Sequence, residues 1–286
     1  MFMTIKELID ESKNFPSVAK MMIAQEKEVT EASEEAIWEA MEKNLAAMKN
    51  SVEEGIQGVT SLTGLTGGDA KRLDNYLKKD FLSGETVLKA VRNAIATNEV
   101  NAKMGLICAT PTAGSAGVLA GVLCALSEKK QLTHEEEINF LFTAGAFGLV
   151  IGNNASISGA EGGCQAEVGS AAAMAAAATV IACGGTVEEA SHAVAITLKN
   201  MMGLICDPVA GLVEVPCVKR NALGASQALI SADMALAGIQ SVIPADEVIV
   251  AMGKVGQQMP TAFKETAEGG LAQTPTALAI TKKLGF

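Results

Sequence analysis

The chain has 286 residues, a net charge of −10 and only 3% aromatic residues. That length can bury a sizeable core. The acidic balance and scarce aromatics argue against a nucleic-acid surface, which needs a basic field and stacking platforms. The opening MFMTIKELIDESK has no apolar run ahead of a small-residue cleavage site, so a cytoplasmic product is expected. In that compartment the six cysteines read as free thiols or metal ligands rather than as disulfides.

In chain order, the first hundred residues predict helix. Ser17 to about Glu54 carries good helix formers, with Pro16 just ahead of it and no internal Pro or Gly. Val18, Met21, Met22, Ala36, Ile37, Ala40, Met41, Leu45 and Met48 return at spacings near three and four, an apolar stripe with a charged face opposite. A glycine-containing loop, Gly55–Asp69, separates this stretch from helices expected near Ala70–Lys79 and Glu85–Thr97. From Ala102 onward, small-residue apolar helices alternate with Gly-rich loops. No segment alternates β-branched and polar residues, and two-residue hairpin signals are missing. The expectation is an all-α chain forming one compact domain over 1–286, with N-terminal helices over 1–101 and the functional region over 102–286.

Mean hydropathy is +0.29, and Met104–Ser127, Ile138–Ala160 and Val168–Val187 lack charge. Each is long enough for a bilayer of about 30 Å. They are rich in Ala, Gly, Ser, Thr and Asn, however, and no basic clusters or aromatic belts flank them. No membrane association is expected. The run Gln165–Ala182 is uncharged after Glu167, apolar on every side, and reads as a central core helix.

Three cysteines lie beside Gly or Pro: Cys164 in SGAEGGCQAEVG, Cys206 in GLICDPVAG and Cys217 in VEVPCVKRN. Thiolates near helix N-termini are favoured by exposed N–H groups. A buried, inert cysteine is the commoner case, and Cys124 and Cys183 fit it well. Spacing alone leaves both readings open for the other three, since no close C-x₂-C pair is present. MGLIC occurs twice, at Met104–Cys108 and Met202–Cys206. The first copy runs into Thr110–Gly117 (TPTAGSAG), which offers hydroxyls and a helix start suited to a carboxylate, or simply a hydroxyl-capped turn. Thr112 and Ser115 are its candidate substrate contacts, and Asn153, Asn154 and Ser158 form a second polar set. No convincing general base stands out. His134 precedes three glutamates, His192 sits on an amphipathic helix, and Lys264 in FKETAEGGLA is a candidate base or carboxylate partner whose default is an exposed lysine.

SGAEGGCQAEVGSAAAMAAA, GLICDPVAGLVEVPCVKRNA and FKETAEGGLA resemble the catalytic chain of the iron–sulfur-dependent bacterial L-serine dehydratases, over about Ala102–Ala272. The resemblance implies a [4Fe–4S] cluster on Cys164, Cys206 and Cys217, with no place for Cys108. Three thiolates on four irons leave one iron open as a Lewis acid on the serine hydroxyl, and the products would be pyruvate and ammonia. The family also carries a smaller region with a serine–histidine segment, fused or as a separate β subunit. Nothing in Met1–Asn101 resembles it, which implies the α subunit of an αβ hetero-oligomer. Two rivals remain at this level: a pyridoxal-phosphate dehydratase using TAGSAG as its phosphate loop, and a non-enzymatic helical membrane or scaffold protein.

Overall fold

The computed structural model describes residues 2–285, and among them there are helices and loops but no strand, only two isolated bridges. The helices are α1 (Ile5–Ser12), α2 (Val18–Thr30), α3 (Glu34–Gln57), α4 (Asp69–Tyr76), α5 (Glu85–Ala102), α6 (Ala116–Lys130) and α7 (His134–Asn154). They continue with the short α8 (Gly159–Gly162), α9 (Ser170–Ala182), α10 (Val187–Met201), α11 (Cys217–Leu236), α12 (Ala245–Gln258) and α13 (Pro275–Leu284). The all-α expectation holds. Side-chain caps set several starts: Thr4, Thr133 and Thr186 each form a reciprocal capping box with a glutamate three residues on.

The expected single helix from Ser17 to Glu54 is two helices. Thr30 turns its hydroxyl back on the Glu26 carbonyl at 2.7 Å, and Glu31 takes a left-handed φ of 57° that ends α2. Ser33 then caps α3 by accepting from the Ala36 N–H. Ser33 followed by two glutamates was a legible start signal, outweighed in the sequence reading by the unbroken run of helix formers around it.

Helix α9 lies at the centre, with α6, α7, α10 and α11 packed around it. The window Gln165–Ala182 is the one described helix long and apolar enough to cross a membrane, and 89% of it is buried inside the fold. Its first turn, Gln165–Gly169, is wound as a π-helix. Helix α5 is a second centre, in contact with α3, α4, α6 and α11. The early helices therefore share one apolar core with the later ones, from Phe2 through Met252.

Small residues let α5 and α6 approach at backbone distance. A Cβ built on Gly121 would stand 2.7 Å from both the Ala90 carbonyl oxygen and the Ala94 nitrogen. Neither neighbour is a movable side-chain end. Helix propensity alone makes Gly→Ala worth about 1 kcal/mol in a helix interior, whereas overpacking costs about 1–3 kcal/mol. Gly121→Ala is expected to destabilise, with chemical denaturation as the measurement. A stabilised variant would mean that this crossing is looser than described.

Candidate active site

Both MGLIC copies follow the end of a long helix. The first leaves α5 and leads to α6, and the second leaves α10 and leads to α11. Around the second copy the chain gathers three thiols. Cys164 sits between α8 and the π turn, Cys206 ends the loop after α10, and Cys217 is the first residue of α11. All three are buried, at 2%, 3% and 8% exposure. Gln165 ties the first segment to the second: its N–H donates to the Leu204 carbonyl at 2.9 Å, and its side-chain oxygen accepts from the Gly203 N–H at 2.8 Å.

The thiols are near enough to feel one another's charge. Burial pushes the Cys164 and Cys217 thiols up to about 12, and for Cys217 the neighbouring Cys164 and Glu167 add to it. Cys206 is also pushed up, by burial first and then by Cys164, Glu167, Glu265 and Cys217. Two carboxylates share the pocket. A Cβ on Gly159 would lie 3.1 Å from Cys206 Sγ and 3.2 Å from an oxygen of each of Glu167 and Glu265. These three groups thus ring one point of the α8 backbone. Glu167 is buried and its carboxyl is raised by desolvation, against a hydrogen bond donated by Thr112. Glu265 reaches the ring from a left-handed backbone, φ 65°. Such a conformation in a non-glycine residue is costly and tends to mark sites where a side chain must be aimed. Among the described residues, no group of three or more His, Cys, Asp and Glu is arranged to hold a metal ion.

The loop Thr110–Gly117 lies against this ring. Thr112 donates to Glu167 Oε1, and a Cβ on Gly114 would be 3.0 Å from the Glu167 carboxyl carbon. The Gly114 carbonyl is clamped by two buried amides, Asn98 at 3.1 Å and Asn221 at 2.7 Å. Ser115 is fully buried, its hydroxyl donating to the Thr110 carbonyl at 3.1 Å. Its hydroxyl is held within the turn, while the Thr112 hydroxyl is turned to Glu167.

Other expected residues lie elsewhere. Asn154 donates to the Met3 and Val150 carbonyls, at 2.6 and 2.9 Å, and the Asn153 amide meets Met3 Sδ. Both fasten the N-terminal segment and lie outside the ring. Ser158 caps α8, its hydroxyl accepting from the Ala160 N–H. Lys264 is half-buried, and its backbone pairs with Cys206: the Cys206 N–H donates to Phe263 O at 2.8 Å and the Glu265 N–H to Cys206 O at 2.9 Å. His134 is exposed near Glu42, and His192 accepts from the Ser241 N–H. Cys108, Cys124 and Cys183 are half-buried and packed against the core.

Sequence reading missed Glu167, Glu265, Asp207 and Arg220. Their signals were positional: Glu167 and Arg220 each follow a pocket cysteine by three residues, one helical turn, and Asp207 and Glu265 flank the Cys206 pairing. Asp207 is 2% exposed and its Oδ2 accepts from the Leu271 N–H at 2.7 Å.

With this geometry in view, comparison with known proteins is specific. The serine dehydratase alpha chain family matches residues 13–272, and the chain belongs to that family. It is 63% identical over 286 residues to a probable L-serine dehydratase alpha chain from Bacillus subtilis, covering 99% of this chain and 95% of that one. It is 42% identical to the L-serine dehydratase alpha chain of Peptoniphilus asaccharolyticus, covering 98% and 97%. An L-serine dehydratase of Helicobacter pylori is 35% identical over 96% of this chain, but the match spans only 62% of its own length.

Gly270 allows the segment Glu268–Ala272 to close on Asp207. Its φ is +59°, and an added Cβ would lie 2.9 Å from the Asp207 carboxyl carbon. Gly184, φ +85°, has the same backbone hand and open space around it. A left-handed alanine costs roughly 1–2 kcal/mol by itself. Gly184→Ala is therefore expected to lose about that much in thermal denaturation, and Gly270→Ala distinctly more. Equal losses would mean that the Asp207 contact does not constrain the loop.

Proposed function

We propose that this chain is the α subunit of an L-serine dehydratase, a lyase converting L-serine to pyruvate and ammonia in the cytoplasm, and that Cys164, Cys206 and Cys217 hold a [4Fe–4S] cluster. The observation that carries the reading is the delivery of three thiols, from three separate segments, to one buried pocket beside two carboxylates. The donor set suits the group. Ionising three buried thiols next to Glu167 and Glu265 is unfavourable unless positive charge joins them, and thiolates are the preferred ligands of iron–sulfur clusters.

When bound, an open-site cluster supplies Lewis acidity toward the β-hydroxyl of serine. The chain's own residues would do the rest. The turn Thr112–Ser115, ahead of the positive end of the α6 dipole, is suited to the serine carboxylate, although the Ala116 and Gly117 N–H groups are already engaged by the Ala113 carbonyl and Asn98. Asn98 and Asn221 keep that turn in place through Gly114. Thr112, donating to Glu167, orients that carboxyl along the pocket wall. Lys264, whose backbone pairs with Cys206, is the lysine of this chain that would meet the substrate carboxylate. Burial by α8, α9 and α11 keeps water from the leaving group.

A separate β subunit completes the site in this reading. Relatives named L-serine dehydratase, such as those of Helicobacter pylori and Mycobacterium tuberculosis, extend well beyond the matched region, which is 62% and 40% of their lengths. The histidine-bearing segment that the family resemblance implies has no counterpart among the pocket residues here. Exposed apolar side chains at Met104, Leu106 and Leu271 stand on the loops about the pocket, where such a subunit would dock. The pyridoxal-phosphate alternative is less well served, because the Thr112 and Ser115 hydroxyls are engaged by Glu167 and Thr110.

The test is anaerobic reconstitution followed by iron and sulfide analysis and a pyruvate assay with and without the β chain. Wild type is expected to carry a cluster, and Cys164→Ser, Cys206→Ser and Cys217→Ser to lose it, whereas Cys108→Ser keeps it. A proton-transfer group contributes about 10²–10⁴-fold in rate, so adding the β chain should raise turnover by at least about 100-fold without changing iron content. Air should abolish turnover as the open iron is lost. An aldimine absorbance removed by mutating one lysine, with no iron bound, would contradict the reading.

A further inference from the structure

Arg220 occupies an unusual position. It lies one turn beyond Cys217 on α11, so its origin moves with one thiol. Its Nη1 donates to the Ile205 carbonyl at 2.7 Å, immediately before Cys206. Its Nη2 meets Asp207 Oδ1 at 2.7 Å, immediately after Cys206, and this side chain is only 15% exposed. One planar group therefore ties the helix that begins at Cys217 to both residues that flank Cys206. A lysine ammonium is a single point on a flexible stem and lacks the rigid fork that serves two acceptors at fixed angles.

Asp207 extends the clamp, because its second oxygen accepts from the Leu271 N–H. The chain from Cys206 to Asp207 is thus fixed on one side by α11 and on the other by the segment that also brings Glu265 to the pocket. Groups of this kind orient metal ligands and tune the metal, and hydrogen bonds and net charge at the sulfurs set cluster potentials.

We propose that Arg220 is a positioning residue for the cysteine pocket, bridging the Cys206 turn to the Cys217 end of α11 and raising the reduction potential of the cluster bound there. The inference rests on the proposed cluster, and the two can fail separately. A merely structural ion pair with Asp207 would lower stability on removal and leave the properties of the loaded cluster alone.

The experiment compares anaerobically reconstituted wild type, Arg220→Gln, Arg220→Lys and Asp207→Asn. It reads iron loss to a chelator, the cluster's reduction potential by redox titration, and melting of the iron-free chain. Loss of an outer-shell partner typically costs 10–100-fold in metal affinity. Arg220→Gln should accordingly shed iron at least about tenfold faster and titrate at a more negative potential. Arg220→Lys should recover part of the potential but not the retention, because it keeps charge without the fork. Asp207→Asn should also lose iron faster yet shift the potential the opposite way, since the guanidinium charge is then uncompensated. These opposite signs hold for whatever fraction of each variant folds and loads. Wild-type potential and iron retention in Arg220→Gln, or shifts of the same sign in Arg220→Gln and Asp207→Asn, would overturn the proposal while leaving the cluster reading intact. A wild-type chain that binds no cluster would overturn both.

Discussion

Everything near the site answers to one electrostatic constraint. Three thiols, Glu167 and Asp207 are buried together, with Glu265 half-buried beside them, and Arg220 reaches into the same space. Separating like charges or leaving them in water would be the ordinary arrangement, since a buried unpaired charge is expensive. Concentrating acidic groups in this way makes the pocket a poor home for thiolates alone and a good one for thiolates that share a multiply charged cation. The helices around it are the means of enforcing that concentration. Small residues bring α5 and α6 to backbone distance, and α9 places the Cys164 turn at the middle of the core.

The duplicated MGLIC makes sense in the same terms. Both copies are helix exits, and each delivers the chain to one wall of a common pocket. The second copy places Cys206 between the thiols before and after it. The first places Thr112 and Gly114 against Glu167, and Asn221 of α11 fastens that loop to the helix carrying Cys217. The N-terminal half is tied in as well. Glu214, in the loop between Cys206 and Cys217, accepts from Thr63 and Thr66 at 2.8 and 2.9 Å, and Asp69 pairs with Lys219. The Gly58–Gly68 loop is thus part of the support for the cysteine loop, not a remote connector.

The sequence made helical periodicity, the central Ala-rich helix and the cysteine motifs legible, because each is a local pattern with a local cause. The break at Glu31–Ser33 was harder, since good helix formers on both sides masked a cap that only the geometry of packing makes decisive. Pocket carboxylates and Arg220 were harder still. A glutamate or arginine at helical spacing is solvated far more often than buried, and only long-range contacts distinguish the cases. Asn153 and Asn154, close to Cys164 in sequence, are held by Met3, a long-range pairing that no local pattern displays.

Under the proposed function, the three thiols leave one iron of a four-iron cluster for the substrate. Mössbauer spectroscopy of ⁵⁷Fe-reconstituted protein, with and without L-serine, addresses it most directly. The account predicts one iron site distinct from the thiolate-bound remainder, and a change confined to that site when serine is added. Four equivalent irons that ignore serine would contradict it.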